Sequence, residues 1–302
     1  MRRSSGVMVL GFAALLSGSL ALGGWQAAES LILTRTVNEG RTVADMAENV
    51  GRWASQYGGV HARTQGANAS LPGTFLTRSV YAVSQGDSDV LQGSKTEDRL
   101  SERQAMERVE AYHWKNPALV QREVADVLAA SGSRSQYRLT AGSVLNRNNA
   151  PNAFEREAIQ AVQAAFAKLP PAQAAALATP QRVPGGRQPA PLEYWRVEAG
   201  RLLYARAVMA QASCLKCHDA PGSAPEFIRT NQQFNGGGGF GYKAGQPVGV
   251  ISVTVPLPAV QTVVTESLSP VSMAALAVAA LSALGLLGVG LGGLFRGPDR
   301  AA

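Results

Sequence analysis

Cys214-Leu215-Lys216-Cys217-His218 uses the only two cysteines of the chain and one of its three histidines. Two thiols separated by two residues match the spacing of the two vinyl groups of an iron porphyrin, so each thiol can add across one vinyl to form a thioether. His218 then follows directly as an axial ligand to the iron. The pattern predicts one covalent haem c, with Cys214, Cys217 and His218 as cofactor-binding residues and His218 as the metal ligand. Three other chemistries fit less well. A thioredoxin-like dithiol needs a strand leading into the N-terminus of a long helix, and Asp219, Pro221, Gly222 and Pro225 follow the motif closely. A zinc site needs a second ligand pair, and no two of His61, His113 and His218 lie close in sequence. A plain disulfide leaves His218 unused.

The elements around the motif must position it. Residues 31–57 keep apolar side chains at helical spacing, and Gly58-Gly59 ends the pattern, so one long N-terminal helix is predicted. Residues 66–89 read as a polar loop, and the charged stretch 97–112 reads as a helix. Asn116 caps a helix with Pro117 at its first position and Gly132 past its end. A short strand is predicted at 135–140, an Asn-rich turn at 145–151, and an Asn152-capped helix at 153–168. A connector at 170–191 holds a brief Ala-rich helix. Residues 192–198 and 201–209 flank Ala199-Gly200 as a hairpin, and 246–257 carries a β-branched run. Helices followed by a small antiparallel sheet, with the motif between its last strands, make an α+β domain.

Two uncharged runs bracket this domain. Residues 4–28 follow Arg2-Arg3, and residues 267–295 precede Arg296 and Arg300. Each is long enough for a bilayer core. The second is predicted to be a transmembrane helix. The first reads as an uncleaved anchor or a cleaved signal sequence. The expected organisation is therefore an N-terminal anchor at 1–28, an extracytoplasmic haem domain at 29–266, a membrane helix at 267–295 and a cytoplasmic tail at 296–302. Positive flanks stay inside, which places both termini in the cytoplasm and the domain in the periplasm of a bacterial inner membrane. Haem attachment requires the same compartment. The net charge of +7 comes without a basic run interleaved with aromatics, which argues against nucleic-acid binding. Glycines at 285, 288, 290, 292 and 293 permit close helix approach and leave a homodimer open.

Four blocks together resemble the Tll0287-like haem domain family, also called DUF3365. They are Tyr204-Ala-Arg206-Ala-Val, Ser213-Cys-Leu-Lys-Cys-His218, Gly239-Phe-Gly-Tyr-Lys243 and Gly249-Val-Ile-Ser-Val-Thr-Val-Pro-Leu257. Residues 145–155 and 116–122 resemble its earlier blocks, so the likeness covers roughly 29–258. It implies a PAS-like fold with one covalent haem, outside the membrane, and a redox- or gas-sensing role. Many relatives carry a kinase or another signalling module beyond the membrane. Here a signal is expected to leave through a separate partner in the membrane or periplasm, or by electron transfer. Some relatives supply a second axial ligand as a cysteine just after the first helix, and this chain has no spare cysteine. His61, near that position, is the first candidate for the sixth ligand and His113 the runner-up. Met209 and an open or water-bound site remain alternatives.

The sequence therefore points to a membrane-anchored c-type haem sensor or signalling partner, with a membrane-tethered electron-transfer cytochrome as the alternative. An enzyme is not expected, since no distal acid–base pair accompanies the motif. Arg206 and Lys216 are candidate partners for a haem propionate. Phe240 and Tyr242 are candidates for packing on the porphyrin or in the core.

Overall fold

A computed structural model describes residues 2–63, 78–82, 110–178, 189–229 and 238–295, with the side chains of His61 and His113 outside the described part. Two compact units share the chain: Asn38–Pro256, and Met1–Val37 with Leu257–Ala302.

Helix α1 (Arg2–Gln56) is continuous over 55 residues. In the larger unit its inward seam is Gly40, Ala44, Ala47, Gly51 and Ala54, spaced three or four apart. Small residues are needed there: a Cβ on Gly51 would lie 2.1 Å from Gln121 Nε2, and one on Gly40 would lie 3.2 Å from the Tyr204 side chain. The close approach lets Gln121 Nε2 donate to the Ala47 carbonyl at 2.8 Å. Trp53 and Tyr57, the aromatic residues of the apolar pattern, are both exposed. Gly58 and Gly59, both left-handed, close the helix by donating to the Ser55 and Ala54 carbonyls.

A three-stranded antiparallel sheet follows, in the order β1 (Val60–Arg63), β3 (Glu110–Lys115), β2 (Arg78–Ala82). It corrects two expectations. Part of the expected loop is β2, and residues 110–112 of the expected charged helix begin β3. The run Ala111-Tyr112-His113-Trp114 is aromatic and favours a strand over the helical charge pattern before it. The rest of both segments lies outside the described residues.

Helix α2 (Pro117–Ala130) starts as expected, with Asn116 Oδ1 accepting from Leu119 N–H at 2.9 Å. After β4 (Gln136–Ala141) comes a 3₁₀ turn at Arg147–Asn149. Helix α3 (Ala153–Ala167) opens on a reciprocal box: Glu155 N–H donates to Asn152 Oδ1 at 2.9 Å, and Asn152 N–H to Glu155 Oε2 at 2.8 Å. The short helix α4 (Pro171–Ala178) is the expected Ala-rich one. Strands β5 (Glu193–Glu198) and β6 (Arg201–Met209) form a hairpin through Ala199 and Gly200, both left-handed. Helices α5 (Ala212–His218) and α6 (Glu226–Arg229) precede β7 (Pro247–Pro256).

The second sheet is antiparallel in the order β4-β7-β6-β5. Phe154, Ala158, Ile159 and Val162 of α3 pack on Ala205 and Val250 of this sheet. The opposing polar contacts tie α1 to it: buried Arg206 pairs with Asp45, lies 3.7 Å from Glu48, and donates to the Arg41 carbonyl at 3.3 Å. The α+β class is thus as expected.

The second unit contains the start of α1, helix α7 (Val260–Ser267) and helix α8 (Pro270–Phe295). Among the described residues one helix is long and apolar enough to cross a membrane, over Pro270–Val289, where two were expected. The first apolar run is the opening of α1. Glycines at 11, 18, 23 and 24 and serines at 17 and 19 dilute its described part.

Candidate functional site

The strand pair β6–β7 carries the motif at its open end. Their register shifts between Val208 and Met209, and the chain leaves the sheet there. Ala210 N–H donates to the Gln246 carbonyl at 2.9 Å and Gly245 N–H to the Ala210 carbonyl at 2.8 Å. The described residues Gln211–Arg229 and Gly238–Ala244 thus form an excursion from the sheet, pinned at both ends. Within it α5 places Cys214, Cys217 and His218 on one short helix.

The end of α5 pairs with the glycine-rich segment. Tyr242 N–H donates to the His218 carbonyl at 3.1 Å, and Gly241 N–H to the Asp219 carbonyl at 2.7 Å. The His218 ring is held in its own plane, because Nδ1 donates to the Gly239 carbonyl at 2.6 Å. A carbonyl only accepts, so Nδ1 bears the proton and Nε2 keeps its lone pair. The ring is also held on a face: Tyr242 stacks on it with centroids 4.5 Å apart and planes 5° from parallel. Burial pushes the His218 pKa down, partly opposed by the Gly239 carbonyl. A neutral imidazole with a free Nε2 is a metal ligand in waiting.

Gly239 makes this contact possible. Its φ is +81°, and a Cβ there would sit 2.4 Å from Leu145 N and 2.7 Å from Leu145 Cγ. The same residue donates its N–H to Ser143 Oγ at 2.6 Å. The Ser143 carbonyl in turn accepts from Tyr242 Oη at 2.6 Å. Burial, followed by the nearby Cys214, raises the Tyr242 phenol to about 12.

The thiols differ in setting. Cys217 packs against Leu145, Ala224 and Ile228, as does Phe240. Its thiol pKa is raised, chiefly by burial and then by Cys214, with Lys216 opposing. The raised value keeps Cys217 as the neutral thiol. Cys214 accepts weakly from Gln211 N–H at 3.4 Å. Both thiols are free and partly buried. The arrangement offers two thiols for covalent attachment and one oriented imidazole for a metal.

A cavity of about 820 Å³ adjoins this group through Ser143, Phe240 and Tyr242, and it is also lined by Gln163, Phe166 and Lys243. Neither cysteine nor His218 lines it. The donor geometry, not this cavity, defines the site.

The structure brings Cys214, Cys217, His218, Phe240 and Tyr242 together. It removes Arg206 from the propionate candidates, since that guanidinium is buried on the α1 carboxylates. Lys216 remains exposed. The backbones of His61 and His113 lie in the paired strands β1 and β3, where His61 is opposite Trp114 and His113 opposite Ala62. Their side chains fall outside the described residues. Ser143 was missed: a serine after a strand and a glycine carries no signal until the chain brings Gly239 beside it.

Comparison with known proteins gives one family match, Tll0287-like, over residues 32–256. Among solved structures, a crystal structure of the cyanobacterial haem protein Tll0287 is similar at 23% identity. The alignment covers 46% of this chain and 71% of that one, with a TM-score of 0.32. No curated protein matches.

Proposed function

This chain belongs to the Tll0287-like family, and on that premise we propose that it is a c-type haem protein acting as a membrane-anchored redox or gas sensor. The observation that carries the proposal is the His218 imidazole, oriented by Gly239 with Nε2 free, on the same seven-residue helix as both thiols. Its residues fit an iron porphyrin. Cys214 and Cys217 would hold the ring through thioethers, and His218 would be the axial ligand. Leu145, Ala224, Ile228 and Phe240 give Cys217 an apolar wall suited to a macrocycle edge. Such a group supplies a one-electron couple and, where its other axial position is open, a site for a diatomic gas.

Single-haem stoichiometry follows from the single Cys-x-x-Cys-His. His61 is the proposed sixth ligand and His113 its alternate, because imidazole is a favoured iron ligand and His61 follows the long first helix, near where some relatives supply one. The apolar helix at Pro270–Val289 supports membrane anchoring. Thioether attachment outside the cytoplasm argues for an extracytoplasmic haem domain. The role proposed is binding and signalling to a membrane or periplasmic partner, not catalysis.

Carbon monoxide added to the reduced, matured protein tests the sensing role. A rapid spectral change supports an accessible iron and gas sensing. An unchanged low-spin spectrum whose sixth ligand is lost in His61→Ala or His113→Ala supports redox sensing or, where no partner responds, the membrane-tethered electron carrier. A colourless chain refutes both.

A further inference from the structure

The Ser143–Gly239–His218–Tyr242 contacts close on themselves. Ser143 Oγ accepts the Gly239 N–H, the carbonyl of Gly239 accepts His218 Nδ1–H, Tyr242 stacks on His218, and Tyr242 Oη returns to the Ser143 carbonyl. One residue thus fixes both neighbours of the imidazole. We propose that Ser143 is the positioning residue of the axial ligand, setting the orientation and donor strength of His218 through Gly239 and Tyr242. The inference rests on the haem reading above and adds a residue outside the motif.

The physical basis is the backbone of Gly239, which joins the anchored 238–239 peptide to the 239–240 peptide that bears the acceptor. Ser143 Oγ anchors the N–H of Gly239, and its backbone carries a φ of +81°. Without that anchor the peptide 238–239 and the loop it leads are free to turn, and the acceptor for Nδ1–H moves with them. A stronger acceptor at Nδ1 makes Nε2 more basic and stabilises the oxidised metal. The Tyr242 stack fixes the remaining freedom, rotation about the Cβ–Cγ bond, while the phenol anchored on the Ser143 carbonyl stops the stack from sliding. Ser143 is itself exposed, so its replacement by alanine removes no core packing.

The test uses the full, matured chain with Ser143→Ala, Ser143→Thr, Tyr242→Phe and Tyr242→Leu. Three measurements are made: intact mass, the ferric electron paramagnetic resonance spectrum with the midpoint potential, and amide exchange of the peptide containing Gly239. Ser143→Ala is expected to keep the covalent group and to raise Gly239 exchange by about tenfold, as for one lost hydrogen bond. It is also expected to shift the potential upward and broaden the resonance spectrum. Ser143→Thr keeps the hydroxyl and is expected to restore the parent values. Tyr242→Phe keeps the stack and gives a smaller change than Tyr242→Leu. A haem-loaded Ser143→Ala protein with parental spectrum, potential and exchange overturns the role of Ser143. Bare polypeptide mass in the unsubstituted chain overturns the haem reading instead, so the two failures are distinct.

Discussion

Replacing Gly239 by alanine isolates how tightly the two loop segments of the site meet. The backbone there is left-handed at φ +81°, which costs a non-glycine residue about 1–2 kcal/mol. The new methyl would lie 2.4 Å from Leu145 N and 2.7 Å from Leu145 Cγ. The nearer atom is backbone, so the 143–145 segment has to move by roughly an ångström, and overpacking of this kind costs about 1–3 kcal/mol. The total is about 2–5 kcal/mol. Gly241 is the matched control: its φ is +77°, yet a Cβ there meets nothing within 4 Å. Gly241→Ala should cost only the backbone part, about 1–2 kcal/mol. Urea unfolding of both variants reads the difference as a shift in midpoint at constant slope. The displaced Gly239 carbonyl should also release His218 Nδ1, so Gly239→Ala alone should perturb the axial ligand. Equal destabilisation by the two substitutions would refute the close approach of Gly239 to Leu145.

Asn152→Ala removes one half of the α3 capping box and should lower stability by about 1 kcal/mol in denaturant titration. Asp45→Ala leaves the buried Arg206 guanidinium with Glu48 at 3.7 Å, the Arg41 carbonyl and the Tyr204 phenol but without its closest carboxylate, and should cost more than Arg206→Met, which leaves exposed carboxylates to water. The Tyr204 phenol is pushed up to about 12, first by burial, so its neutral form is favoured by folding; that stability is complete below the ordinary value of 10.0 and should be lost as pH rises from there towards 12, a loss that Tyr204→Phe reduces in unfolding titrations. Glu193 is held below its ordinary 4.5, chiefly by the Arg41 hydrogen bond, so its contribution is present above that value and should fade as pH falls through the depressed one; Glu193→Gln should flatten this acid limb.

Local signals carried most of the larger unit's second half. Asn116-Pro117, Asn152 with Glu155, and Ala199-Gly200 each state a cap or turn within four residues, and each element formed where those residues put it. The Cys-x-x-Cys-His spacing picks out three residues that share one short helix. What failed was non-local. The seam of α1 consists of Gly and Ala, which contribute little to a hydropathy period, so the helix was legible but the face it buries was not. Strand β3 was hidden because the charges before it mimic a helix surface, while its pairing partners lie far away in sequence. Arg206 looked available beside the motif, but its partners belong to α1, more than 150 residues earlier. Ser143 acquires its role only when the excursion after β6 folds back onto the turn after β4.

Intact mass of the full chain, produced with cytochrome c maturation machinery and denatured before analysis, tests the central claim most directly. One haem should remain attached to the unfolded polypeptide, on the peptide that contains Cys214 and Cys217, and it should be lost when both are replaced by alanine. A parent chain that shows only its bare polypeptide mass would contradict the account.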